Sequence, residues 1–156
     1  MVGVLDHIAS SYRTGDGVPY SAFGPELRHG IAGMNRPMFT NDLEQWLAAA
    51  PAIDHHLRRQ ARPRILDVGC GTGWSTIALA HAYPAAHVHG IDLDGASVDD
   101  ARRNATEAGL DERVDFEVRD AVTADQLDGR YDLVCIFEAL HDMAHPYKPS
   151  QTSARR

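Results

Sequence analysis

From Arg64 to Phe137 the chain switches repeatedly between short apolar runs and longer stretches whose apolar positions recur every three or four residues. Arg64 to Val68 is too short for a helix and predicts a strand. Thr72 to Tyr83 has helical spacing and is stopped by Pro84. His87 to Leu93 predicts a second strand. Asp94 stands where a helix cap belongs, and Val98, Ala101, Ala105 and Ala108 form a narrow apolar stripe that Gly109 ends. Val114, Phe116 and Val118 alternate along a third strand. A short helical segment is expected around Ala124 to Leu127. It leads to YDLVCIF (131–137), a continuous apolar strand that wants cover on both faces. This alternation predicts an α/β fold, a parallel sheet with right-handed crossovers and flanking helices.

The first third is less regular. Gly15, Gly17, Pro19, Gly24, Pro25, Gly30, Gly33 and Pro37 interrupt any long pattern, leaving short helical pieces at Leu5 to Tyr12 and Pro25 to Ala32. Between them GDGVPYSAFG reads as a loop carrying Tyr20 and Phe23. Asn41 and Glu44 make a capping-box pattern ahead of Trp46 and Leu47. Pro51 suits the first turn of another helix with Ile53 and Leu57 on one face. Arg58, Arg59, Arg62 and Arg64 favour the end of that helix electrostatically. The expected organisation is an N-terminal helical segment over 1–60, a sheet-forming domain over 61–145 and a flexible polar tail over 146–156.

At 156 residues the chain is the size of one domain. Its apolar runs are too short to span a membrane, and its start lacks the basic-then-apolar order of a signal peptide. A cytoplasmic location is therefore expected. The net charge of −7, with acids concentrated between Asp92 and Asp132, argues against a nucleic-acid-binding face. Cys70 and Cys135 are too few for a disulfide framework and read as small buried fillers.

The most informative stretch is LDVGCGTGW, Leu66 to Trp74, with three alternating glycines directly behind a strand. A glycine-rich turn there brings backbone and a helix N-terminus close to a ligand at the carboxyl end of the sheet. The dinucleotide fingerprint needs a small residue at its sixth position, and Trp74 occupies it. Asp67, beside the turn, is also the wrong charge for a pyrophosphate and suits a ligand bearing positive charge. Asp92 ends the second strand, where a carboxylate can accept both hydroxyls of a ribose. Asp120 ends the third, within reach of an adenine amino group.

ILDVGCGTGWSTIAL, GIDLD, VRDA and YDLVCIFEALHDM together resemble the cofactor-binding half of the Rossmann-like, class I S-adenosylmethionine-dependent methyltransferases. The likeness runs from about Arg64 to Met143. It implies that Asp67, Gly69 and Gly71 contact the methionine part of the cofactor, that Asp92 holds the ribose, and that Asp120 with Ala121 flanks the adenine. Cys70, Leu93 and Phe137 join them as implied cofactor-binding positions. The Tyr20 to Phe23 loop resembles segments that cover cofactor and substrate in small-molecule methyltransferases.

Methyl transfer asks for in-line positioning, plus a base when the acceptor carries a proton. FEALHDMAH supplies Glu138, His141, Asp142 and His145 on the same rim. Glu138 and His141 are the catalytic candidates, because a histidine exchanges its proton near neutrality. A His141 that merely packs or hydrogen-bonds is the competing reading. His141 and His145 lack a well-placed third ligand, so no metal site is expected. After this point PYKPSQTSARR offers none of the family's further strands, so a truncated methyltransferase is expected. The function expected is methyl transfer to a small-molecule acceptor, the alternative a non-catalytic module that holds the cofactor or its product. The bare edge of the fourth strand further predicts a homo-oligomer.

Overall fold

A computed structural model describes residues 4–121 and 130–143. Its elements are α1 (Leu5–Thr14), α2 (Gly24–Ala48), α3 (Pro51–Arg59), β1 (Arg64–Val68), α4 (Trp74–Ala82), β2 (His87–Asp92), α5 (Gly95–Glu107), β3 (Val114–Val118) and β4 (Leu133–Cys135). The four strands form one parallel sheet in the order β3-β2-β1-β4. The α/β fold with flanking helices is as expected, and β1 has the expected ends.

Side chains of the strands divide between two apolar clusters. Ile65, Val88, Val114 and Cys135 join one core with Leu79 and Ala80 of α4 and Val98 and Ala101 of α5. Leu66, Val68 and Ile91 form a second apolar cluster, packed by Val134, Ile136 and Met143. The α5 cap is as expected: the Ser97 amide donates to Asp94 Oδ2 at 3.0 Å.

The largest departure lies in α2, a continuous helix of 25 residues where interruption was expected, with Pro37 inside it. Proline removes one helical hydrogen bond and its ring crowds the carbonyl four residues earlier. Here that residue is Gly33. Burial offsets the penalty, because Phe39 and Leu43 enter the main core with Met38 and Leu47 packed against it. The Asn41–Glu44 pattern therefore lies inside a helix and starts none. Tyr20–Phe23, expected as loop, is a turn of 3-10 helix leading straight into α2.

The fourth strand is also shorter than its apolar run, three residues in place of seven. Asp132 ties its entrance to β1, accepting from the Arg64 amide through Oδ2 at 2.8 Å while its own amide donates to the Arg64 carbonyl at 2.8 Å. Past Cys135 the chain leaves the sheet, and Glu138 has a left-handed φ of 49°. The helix expected at Ala124 to Leu127, His145 and the tail over 146–156 lie outside the described residues.

Candidate functional site

The turn after β1 holds three glycines with positive φ: Gly69 at 76°, Gly71 at 52° and Gly73 at 84°. They serve different ends. A Cβ on Gly69 would stand 2.5 Å from the Ala139 Cβ, so this glycine admits the segment that follows β4. A Cβ on Gly73 would stand 2.9 Å from both Ala101 and Phe116, so that glycine seats α4 against α5 and β3. Gly71 alone of the three opens onto space, with nothing within 4 Å of its would-be Cβ. Gly69 and Gly71 line the cavity, and of the two only Gly71 has an open Cβ position.

The end of β2 holds the turn in place. The Gly69 and Cys70 amides donate to the Ile91 carbonyl at 2.8 and 3.1 Å. The Gly71 amide donates to Asp92 Oδ2 at 2.8 Å, and the Asp94 amide to Asp92 Oδ1 at 2.9 Å. Burial raises the Asp92 pKa above the ordinary carboxylate value, against the pull of these amides. A carboxylate has about four lone-pair positions. With the Leu93 amide also drawn to the carboxylate, Asp92 still has a lone-pair position to offer.

Asp67 departs from its expected place. It is fully buried beneath the turn and is absent from the cavity wall. The Ser75 and Thr76 hydroxyls donate to its Oδ2 at 2.6 and 2.7 Å, while Oδ1 has no partner among the described residues. Burial pushes its pKa up to about 6, against the lowering by those two hydroxyls. Its position in the motif implied contact with a ligand. The structure makes it a support for the first turn of α4.

Above the turn lies a cavity of about 430 Å³, within the range of roughly 300–1,000 Å³ usual for small-molecule sites. Gly69, Cys70, Gly71, Asp92, Leu93, Asp120, Ala121 and Phe137 all line it, so every expected cofactor residue except Asp67 is brought together. Glu138 lines it too. His141 does not; its side chain is 67% exposed, with Nε2 at 3.6 Å from Asp142 Oδ2.

The opposite wall comes from α2 and the turn before it, including Tyr20, Arg28, Ile31 and Phe39. Partial burial, with Asp92 and Asp94 nearby, raises the Tyr20 pKa. Arg28 Nε donates to Asp100 Oδ2 at 2.8 Å, joining α2 to α5. Trp74, the residue that breaks the dinucleotide pattern, also lines the cavity, and the Arg36 guanidinium stacks on its ring at 3.8 Å. Arg28 and Trp74 escaped sequence reasoning. Reading α2 as one helix would have put Arg28, Ile31, Asn35 and Phe39 on one face at helical spacing.

Residues 65–154 match a protein family described as "Methyltransferase domain". A protein of Oryza sativa subsp. japonica named "Probable tocopherol O-methyltransferase, chloroplastic" is 32% identical over 146 residues, covering 88% of this chain and 39% of its own length. The release factor glutamine methyltransferase of Chlorobaculum tepidum is 43% identical over 75 residues, covering 46% of this chain and 26% of its own. Among solved structures, the [4+2]-cyclase SpnF aligns with a TM-score of 0.56 at 31% identity, covering 70% of this chain and 42% of its own. The chain thus spans about two fifths or less of the length of each of these proteins.

Proposed function

The chain belongs to the class I S-adenosylmethionine-dependent methyltransferases, and from that premise we propose that its cavity binds S-adenosylmethionine and serves methyl transfer to a small-molecule acceptor. The observation that carries this reading is the pairing of Gly71 with Asp92: an open backbone position, and a carboxylate that fixes its amide while keeping a lone-pair position to offer. The residues fit such a ligand. Asp92 accepts the ribose hydroxyls, Asp120, Ala121 and Leu93 border the adenine, and Gly69, Cys70 and Gly71 lie along the methionine part. Phe137 closes the wall on the β4 side. When bound, S-adenosylmethionine supplies a methyl group made electrophilic by its sulfonium sulfur.

In this reading Glu138 takes the proton from the acceptor. It lines the cavity, and its left-handed backbone is a costly conformation for a side chain other than glycine. His141, exposed and off the wall, has the weaker place. The acceptor is assigned to small molecules because the cavity is a concave space walled by apolar side chains of α2, Ile31 and Phe39 among them. A cytoplasmic location is kept in this reading, since the buried Cys70 and Cys135 are unpaired thiols.

One observation favours the non-catalytic alternative. His141 is withdrawn from the cavity, which leaves Glu138 as the nearer of the two expected bases. Incubation with S-adenosylmethionine and a panel of phenols, amines, carboxylic acids and a glutamine-bearing peptide tests the choice. S-adenosylhomocysteine should form with a small-molecule acceptor and fall at least tenfold in Glu138→Gln. Formation with the peptide alone would move the acceptor to protein. Binding without any product would leave the module.

A further inference from the structure

Along α2, Ile31, Asn35 and Phe39 follow one another at intervals of four residues and so share one face of the helix. All three line the cavity, and the Phe39 ring lies with its centroid 5.6 Å from that of Phe137. Asn35 is therefore a half-buried carboxamide set between two apolar side chains, and it has no side-chain hydrogen bond among the described residues. Other polar groups of the same wall are already engaged. Arg28 is held by Asp100 and Asp94, Ser97 by Asp94, and Ser75 by Asp67. A polar group in an apolar wall costs stability until something bonds it. At Asn35 the missing partner is one that a ligand can supply.

We propose that Asn35 selects the methyl acceptor, by bonding a neutral polar substituent of an aromatic ring that lies against Phe39 and Phe137. That role rests on the S-adenosylmethionine reading and deepens it, since it names a class of acceptor. The residues assigned to the cofactor come from the strand ends and the turns that follow them, whereas Asn35 stands on α2, the facing wall. The Phe39 and Phe137 rings are tilted by 60°, and such a corner receives a third ring by its edge or by an offset face. A carboxamide donates through its nitrogen and accepts through its oxygen, so a hydroxyl, a carbonyl or an amide on the acceptor suits it. A carboxylate would look to a cation, and the two arginines of the wall are engaged, Arg28 by Asp100 and Arg119 by Glu117.

Initial rates of S-adenosylhomocysteine formation test the assignment with matched probes: phenol against 3-hydroxybenzamide, and aniline against 3-aminobenzamide. The parent should favour the benzamide of at least one pair by about tenfold in kcat/KM, the scale of one hydrogen bond. In Asn35→Leu that preference should fall to about twofold or less, while S-adenosylhomocysteine binds as tightly as before. The same variant should unfold at a higher denaturant midpoint, because leucine suits a helix and an apolar wall better than asparagine does. A residue kept for structure alone would show the reverse, a lower midpoint with the preference intact. Asn35→Ala makes the same comparison if Asn35→Leu does not fold.

A parent without preference in either pair, a preference that survives both substitutions, or no turnover of any of the four probes by a parent that binds S-adenosylhomocysteine would overturn the role of Asn35. So would a loss of S-adenosylhomocysteine affinity in Asn35→Leu, which would move the residue to the cofactor. If the parent binds neither S-adenosylmethionine nor S-adenosylhomocysteine, the S-adenosylmethionine reading fails and the selection of the acceptor with it.

Discussion

Two glycines a single residue apart should respond to substitution in different ways. At Gly71 a side chain clashes with nothing but must adopt a positive φ of 52°, so Gly71→Val should fold at a cost of about 1–2 kcal/mol and cut S-adenosylhomocysteine affinity ~100-fold or more, about 3 kcal/mol. At Gly73 a Cβ runs into Ala101 and Phe116, so Gly73→Ala should lower unfolding stability by about 1–3 kcal/mol through overpacking. Denaturant midpoints and calorimetry on the two variants check the pair, and equal behaviour would erase the distinction. Asp92→Ala should weaken binding by about 1.5–3 kcal/mol, the scale of hydrogen bonds to a charged group. Asp67 makes a pH prediction of its own. Its folded pKa of about 6 lies above the ordinary 3.8, so the folded state holds the proton more tightly than the unfolded one. Its stabilising contribution is full below pH ~4 and lost as pH rises through ~6, a swing of about 3 kcal/mol at 1.36 kcal/mol per pKa unit. Urea midpoints measured across that window should fall in the parent and flatten in Asp67→Asn; parallel profiles would show that Asp67 does not titrate there.

Elements were legible in the sequence where local pattern and tertiary packing agree. β1, β2 and β3 are short apolar or alternating runs bounded by turn residues, and α5 carries its own cap in Asp94 and its stop in Gly109. Eight of the nine expected cofactor residues meet at one cavity, because strand ends on one rim converge whatever their loops do. Asp67 was misplaced because strand position does not say whether the last inward side chain ends above or below the turn. α2 was illegible for a different reason. Its glycines and Pro37 are breakers by local propensity, and only burial of Phe39 and Leu43 overrides them. The stretch of cavity wall made by Arg28, Ile31, Ala32, Asn35 and Phe39 went unseen with it. Pro37→Ala should accordingly stabilise the fold by about 1–3 kcal/mol, read as a higher denaturant midpoint. A lower midpoint would show that Pro37 packs in a way a helix-former cannot replace. β4 was overread, because an apolar run marks burial and not the length of sheet pairing.

Among the described residues β4 is a sheet edge, paired with β1 alone, and Leu133 and Val134 on it are only partly buried. An edge of that kind invites pairing with another strand. Self-association through it is the expected behaviour in solution, and light scattering over a dilution series should show mass falling as the protein is diluted; a constant monomer mass would set the expectation aside. At the scale of the whole molecule, four strand ends, a helix spanning 25 residues and a turn opened at Gly71 enclose one cavity. Everything proposed for the chain depends on what enters it. Calorimetric titration of the parent with S-adenosylhomocysteine, S-adenosylmethionine and NAD is the most direct measurement. The first two should bind with one site per chain, in a manner abolished by Gly71→Val, while NAD gives no heat. Binding of NAD, or binding of the other two that survives Gly71→Val intact, would contradict the account.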